Sequence, residues 1–573
     1  MERLVLALTA ILALGRVLNA ASGDLDASFG TGGRVILTLG ERDDWARGLA
    51  LQEDGKFVVC GYTKDQFGAS RFFLIRLAGN GILDPSFNGT GKVLPAAGGP
   101  DTDAYAVKVQ PDGKIVVVGT VKVGTSTDIA LWRFNPDGTP DTTFNGTGSV
   151  VTAIGAWADV GSDLELLPGG KILVGGWGGV TGANGDFALL RYDGTGTLDT
   201  TFRGTGIVTT PIGTSVDNAF ALFVQPDGKI VLAGGAVGGS IFQVGVARYH
   251  PDGGLDTSLW NTGKRIVSIA GTTEFAYDVI AQPDGKLVLA GLRRYGSTIE
   301  YALIVRLTEG GALDPTFNGN GTVAINFKES TLNSYFNASA LALQNNGKIL
   351  VAGGGLFDGG GGAPLRNAFH LFRFNQNGTF DTTFQGTGWV GTHGNPDSAY
   401  GLKMELQKDG KVVMAGLVTV GGYRDLMLVR YQAGPYETWK YDRLGHYNVP
   451  DDGNNDSDAF VTLAEYGLVL DPAAYSAGPE GGPHAYAEGT RLRMVFTRDP
   501  ARNDVTIEAE VADEMAGPWT VVASSVLGAP MSGPGYVGGD SAGAGLKMVE
   551  VRDVVNVGDA AHPRRYLRLR VKR

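Results

Sequence analysis

Apolar residues along this chain come in short runs, each led in by the same polar turn. QPDGKIVVVG (110–119), QPDGKIVLAG (225–234) and QPDGKLVLAG (282–291) are three copies of one text. In each, Pro presets φ, Asp bonds its own turn backbone and Gly accepts positive φ, so the chain reverses into a β-rich run. The second unit shows the whole pattern. AYAVKVQ (104–110) leads into the turn and KIVVVG leaves it. DIALWRF (128–134) then alternates as a half-buried strand does, and GSVVT (148–152) follows a further turn. That is four short strands per unit, with no helical period.

The unit repeats seven times. Its turn lysines are Lys56, Lys114, Lys171, Lys229, Lys286, Lys348 and Lys411, at spacings of 58, 57, 58, 57, 62 and 63. A glycine closes each apolar run: Gly61, Gly119, Gly176, Gly234, Gly291, Gly353 and Gly416. A second marker, LDxxF followed by a glycine turn, places aspartates at 26, 84, 141, 199, 256, 314 and 381. A third is an arginine ending a strand: Arg76, Arg133, Arg191, Arg248, Arg306, Arg373 and Arg430. Seven four-stranded units predict an all-β fold, a seven-bladed β-propeller over residues 22–431. The array begins with a spare strand, GRVILT (33–38), and ends one strand short at DLMLVRY (425–431). Pairing the two closes the ring and removes its free sheet edges. The PDG turn and LDxxF phenylalanines are assigned structural roles, the latter as wedges between blades.

The combination LDxxF, GxG, QPDGK, apolar run and RYNPDG resembles the delta-60 repeat family of secreted bacterial β-propeller proteins. The resemblance spans about residues 24–431. It implies an extracellular propeller and carries no activity with it. LPGGK at Lys171, PDTTF at Asp141 and LDTSLW at Asp256 depart from the pattern.

The flanking segments read differently. Residues 1–21 pair a charged start with an apolar run from Leu4 to Leu14 and small residues near Ala20, the pattern of a signal peptide and too short to span a bilayer. The expected location is therefore secreted or at the cell surface. Residues 432–483 form a linker containing NNDSDAFVTLAE (454–465). Asn454, Asp456, Asp458, Phe460 through its carbonyl, Thr462 and Glu465 fall at the positions of a 12-residue Ca²⁺ loop. Ala459 replaces the usual turn glycine, and an acidic linker capping a helix is the alternative. The segment resembles one that precedes the C-terminal module of many large secreted bacterial proteins. Residues 484–573 alternate again and predict a small β-sandwich.

Composition narrows the function. The chain has 573 residues, 89 of them glycine, and a formal charge of −11. That balance argues against a nucleic-acid partner. The single cysteine, Cys60, sits in an apolar run and reads as a core residue. Six scattered histidines show no metal-ligand spacing, and no phosphate loop is present. Elements that agree build the fold, so function is sought in loops that differ. The loops joining second to third strands share one rim and offer Asp65, Arg294, Tyr295, Phe357, Tyr423 and Arg424 as ligand-binding candidates. The expected function is non-enzymatic binding of a polysaccharide or a cell-surface protein by a monomer. The alternatives are a glycan-active hydrolase or lyase using carboxylates in the channel, and a structural spacer of a surface layer. Ca²⁺ is the one cofactor expected.

Overall fold

The structure, a computed structural model, describes residues 22–434 except 96–98, 180–184, 270, 297–298, 327–335, 345, 358–365 and 395–397, together with the C-terminal strands. The chain divides into two compact units. One is Leu25–Gln407 with Val412–Tyr431, and the other holds Gln432–Arg573. Residues 1–21, expected to be a signal peptide, and the 454–465 loop lie outside the described residues.

The first unit is a propeller of seven antiparallel four-stranded blades. Within a blade the strands are a (innermost) to d. Blade I is Asp44–Leu51, Phe57–Lys64, Ser70–Leu77 and Lys92–Val93, and blade II is Thr102–Val109, Ile115–Val123, Ser126–Phe134 and Ser149–Thr152. The a strands of blades III to VI are Val160–Leu166, Asp217–Val224, Thr273–Ala281 and Phe336–Leu343. Blade VII is Ala399–Leu406, Val412–Val420 and Tyr423–Tyr431, and its d strand is Arg34–Leu37 from the start of the array. The register Arg34↔Val429 to Leu37↔Leu426 closes the ring as the repeat phase predicts. The second unit carries two antiparallel sheets. His484–Glu488, Arg491–Arg498, Lys547–Arg552 and Tyr536–Gly538 form one, and Thr520–Ser525, Thr506–Ala512 and Tyr566–Lys572 the other.

The PDG turn works as its residues require. Gln110 N–H bonds Lys114 O at 2.8 Å, Asp112 Oδ1 accepts Lys114 N–H at 3.0 Å, and Gly113 sits at φ 82°. An alanine there would be strained.

The three repeated charged residues converge. In every blade the c-strand arginine donates Nε to the LDxxF aspartate at 2.6–2.9 Å, from Arg76–Asp84 to Arg430–Asp26. Six of the turn lysines, Lys56 to Lys348, approach the same carboxylate, as Lys171 does Asp199 at 2.7 Å. The arginine's Nη1 reaches into the next blade: Arg133 to Gly194 O at 2.7 Å, Arg191 to Pro251 O at 2.8 Å, Arg430 to Gly79 O at 2.5 Å. The LDxxF ring lies under the guanidinium, 4.7 Å away for Arg76 and Phe87. Phe87, Phe144, Phe202 and Phe317 are fully buried and pack beneath a c–d turn glycine of the following blade. Where the repeat reads LDTSLW, Leu259 is buried and it is Trp260 that lies beneath the corresponding glycine, Gly311. Burial raises the carboxyl of Asp381, but Arg373, Lys348 and the Thr383 hydroxyl outweigh it and hold it at about 2. Cys60 is buried in the core between blades I and II, and burial pushes its thiol up.

Arg430→Ala would take the guanidinium from buried Asp26 and leave the closing blade without its tie to Gly79. Removing one partner of a buried pair costs about 3–5 kcal/mol. The expected result is a marked drop in the melting temperature of the full chain, larger than for Lys56→Ala, read by differential scanning calorimetry. Equal melting temperatures for the two variants would show that strand pairing alone closes the ring.

Candidate functional site

Each a strand carries a β-bulge at the same register. The shifts fall between Ala46/Gly48, Ala104/Ala106, Gly161/Asp163, Ala219/Ala221, Ala276/Asp278, Ala338/Ala340 and Gly401/Lys403. The residues left over are Arg47, Tyr105, Ser162, Phe220, Tyr277, Ser339 and Leu402, one per blade. A bulge re-aims its side chain, and all seven of these line one cavity of about 740 Å³ at the channel mouth. The repeated closing glycines explain why the bulge forms. Gly119 pairs with Ala104, and a Cβ on it would collide with the carbonyl of Asp103, just before the bulge; Gly61, Gly234 and Gly416 meet the equivalent carbonyls.

The mouth opens on the face carrying the b–c hairpins. In blade IV the start of strand a, Asp217, pairs with Ala236 near the end of strand b, two residues from the hairpin that joins Gly238 to Ile241. Acidic residues at the a-strand starts fix the incoming loops: Asp44 accepts Leu39 N–H at 2.6 Å, and Asp159 and Asp217 accept Ile154 and Ile212 N–H at 2.7 Å.

The cavity wall is aromatic in two clusters. On blade I, Trp45 stacks on Tyr62 with centroids 6.0 Å apart. Arg47 lies 5.0 Å from the Trp45 ring and Arg424, from blade VII, 4.6 Å from the same ring. On blades IV and V, Tyr277 stacks on Phe275 at 6.2 Å and meets the edge of Phe220 at 5.5 Å. Trp177 and Tyr400 also line the cavity. Between the rings stand Ser162, Asn337, Ser339, Asn367 and Glu300. Asn367 Oδ1 and Arg47 Nε are buried with no hydrogen-bond partner among the described residues.

One layer deeper the channel is charged. Asp163, Asp278 and Lys403 follow their bulges directly, and Lys108, Glu165 and Glu405 come two residues later. Lys108 Nζ meets Glu165 Oε1 at 3.0 Å. Asp163 Oδ2 accepts Leu222 N–H of blade IV at 3.0 Å, and Asp278 Oδ2 accepts Leu341 N–H of blade VI at 2.6 Å. Burial pushes Asp278 up to about 6, against the pull of Lys403. Burial pushes Glu405 up to about 7; Lys108 and Lys403 oppose that, while Asp278 and Glu165 add to it. Of these six groups, Lys403 reaches the cavity wall.

Comparison with known proteins bears on the repeat. A family model described as "Domain of unknown function (DUF5122) beta-propeller" matches at residues 52–87, 110–144, 167–202, 225–259, 282–317 and 344–384. This chain is a β-propeller repeat protein. No curated protein matches its sequence. Among solved structures, Sqt1 from Chaetomium thermophilum is 12% identical, with a TM-score of 0.38 over 70% of this chain and 98% of that one. A PL25 ulvan lyase bound to a GlcA–Rha3S saccharide is 10% identical, with a TM-score of 0.40 over 72% and 94%. A GH43_1 enzyme from Xanthomonas citri complexed with xylose is 11% identical, with a TM-score of 0.25 over 45% and 84%.

The hairpin residues singled out from the sequence take different places. Arg424 lines the propeller's cavity. Arg294 holds Glu300, a wall residue, with Nε–Oε1 at 2.8 Å. Tyr295 and Tyr423 are exposed on the rim, Tyr295 edge-on to Tyr301 at 5.4 Å. Asp65 Oδ1 is spent on Phe67 and Ala69 N–H, both at 2.9 Å, so it shapes its own hairpin. Phe357 ends a b strand, and its side chain lies outside the described residues, as do Asn454, Asp456, Asp458, Phe460, Thr462 and Glu465. The sequence reading overlooked the bulge positions. Their signal is a variable residue after a small one in each first strand: ARG, AYA, GSD, AFA, AYD, ASA and GLK.

Glu405 titrates near 7 in the folded propeller and near 4.3 when unfolded. Ionisation therefore weakens the fold as pH rises from about 4.5 to about 7, and the loss is complete above that. Glu405→Gln is expected to raise the melting temperature at pH 8 and to leave it nearly unchanged at pH 5. A variant destabilised at pH 8 would mean that the carboxylate instead holds Lys108 and Lys403 in place.

Proposed function

We propose that the protein is a secreted binding propeller that takes a carbohydrate chain at the mouth of its channel. The observation carrying this reading is the wall of that mouth: Trp45, Tyr105, Trp177, Phe220, Tyr277 and Tyr400 around one cavity, with amide and hydroxyl side chains set between them. Flat ring faces suit the apolar faces of sugar rings, and Asn and Ser groups suit hydroxyls in either donor or acceptor role. A concave, mainly apolar site with a few convergent polar groups is the usual form of a small-ligand pocket. Buried Asn367 Oδ1, with no donor among the described residues, is an acceptor a sugar hydroxyl would suit. The surrounding rim supports a ligand longer than the cavity. Phe67 is 87% exposed, Trp157 54% and Tyr423 49%, all on the face that holds the mouth. Secretion is supported by the apolar N-terminal segment read from the sequence.

A second reading, a glycan-active hydrolase, is favoured by the raised carboxyls of Asp278 and Glu405 beneath the mouth. Against it, Asp278 spends both oxygens on the N–H groups of Val279 and Leu341.

Titration calorimetry of the full chain against a panel of neutral and acidic hexasaccharides tests the proposal, with chromatography of the mixtures for shortened products. The expected outcome is binding of at least one saccharide without cleavage. Tyr277→Ala should weaken it about tenfold, about 1.4 kcal/mol, while Phe67→Ala changes a hexamer's affinity little. Shortened products that vanish in Glu405→Gln would replace the binding reading with the hydrolase. No heat with any saccharide would remove both.

A further inference from the structure

The mouth is charged differently from the rest of the molecule. The chain carries a formal charge of −11. Yet the ionisable lysine, arginine and acidic residues of the cavity wall are Arg47, Lys403, Arg424 and Glu300, and Glu300 is already held by Arg294. Two guanidinium groups flank the single indole of Trp45, at 5.0 and 4.6 Å from its ring. Two cations gathered at one ring repel, and an anion beside them relieves that repulsion. The protein supplies little. Among the described residues Arg424 meets Asp43 at 4.0 Å through Nη1, and Arg47 bonds the Tyr62 hydroxyl and feels Asp103, a carboxyl that Ser70 also bonds. Arg47 Nε, buried at the cavity wall, has no acceptor among the described residues.

We propose that this pair of arginines recognises an acidic sugar: Arg47 and Arg424 take the carboxylate or sulfate of a charged saccharide whose neighbouring rings lie against the aromatic wall. The inference rests on the carbohydrate reading above and names its ligand class. The guanidinium fork matches the planar oxygen pair of a carboxylate, and two oxygens of a sulfate, through paired N–H donors. A cleft lined by one sign of charge concentrates field and so attracts the opposite charge from solution. An acidic peptide would satisfy the charge but not the shape. Extended peptides are taken by free sheet edges or long grooves, whereas this mouth is a closed ring walled by side chains from all seven inner strands.

The test is calorimetric, on the full chain at 50 and 300 mM NaCl. The probes are a neutral β-glucan hexamer, an oligogalacturonate hexamer, a sulfated galactan hexamer and poly-glutamate of matched charge. The expected result is at least tenfold tighter binding of one or both acidic saccharides than of the neutral one, weakened at the higher salt. Which of the two binds separates carboxylate from sulfate. Arg424→Ala, at a half-exposed hairpin position, should abolish that preference. Arg47→Lys, which keeps the charge but not the fork, should reduce it. Equal binding of neutral and acidic hexamers, untouched by Arg424→Ala, overturns this inference and leaves the carbohydrate reading standing. Poly-glutamate bound as tightly as the acidic hexamers overturns it too, because charge alone is then read. No binding of any saccharide overturns the carbohydrate reading and this inference with it.

Discussion

The arginine that ends each third strand is the contact on which the rest of the propeller depends. A guanidinium removed from water is costly unless every donor finds an acceptor. Here Nε of Arg133 meets Asp141, Nη2 meets Thr143, and Nη1 meets the carbonyl of Gly194 in the next blade. The plane of the group lies over Phe144, 4.6 Å away, adding a cation–π contact. One side chain thus ties a strand, its own return turn and the neighbouring blade. Repeated around the ring, the same tie ends where it began: Arg430 takes Asp26, 404 residues earlier in the chain, and reaches Gly79 of blade I. Ring closure is therefore both a strand pairing and an ion pair, and it gives blade VII its fourth strand.

The repeated glycines have a different consequence. By letting the preceding carbonyl of the inner strand come close, they permit a bulge in every blade at one register. The bulge turns one residue per blade toward the axis while the small residue before it, Ala or Gly in all seven, packs against the glycine. Uniform positions thus hold the backbone, and the position beside them is free to vary: Arg47, Tyr105, Ser162, Phe220, Tyr277, Ser339 and Leu402. A sevenfold scaffold in this way presents a wall with no sevenfold symmetry. The charges follow suit. Cations stand at the mouth, and carboxyls raised by burial stand below it among Lys108 and Lys403.

The sequence by itself determined the blade count, the four-stranded unit and the closing strand, because each is a matter of periodicity and local turn chemistry. Gly113 reverses the chain whatever surrounds it, and the phase of the repeats at the two ends leaves Arg34–Leu37 one partner. It also marked Lys, Asp and Arg as recurring together, though not that they meet. Arg424 was legible as a rim residue; Trp45 and Tyr277 read as ordinary strand residues. Only the tertiary structure decided where the site lies. Residues in register on seven different strands, 57 to 63 positions apart, converge because the ring brings every inner strand to one axis. Whether a strand residue faces that axis or the core turns on a single extra residue at the bulge, which shifts the alternation by one. Alternation read along one strand cannot show that shift, because it arises from pairing between two. The raised carboxyls of Asp278 and Glu405 have the same origin: burial and mutual charge exist only once blades II, III, V and VII stand around a common channel.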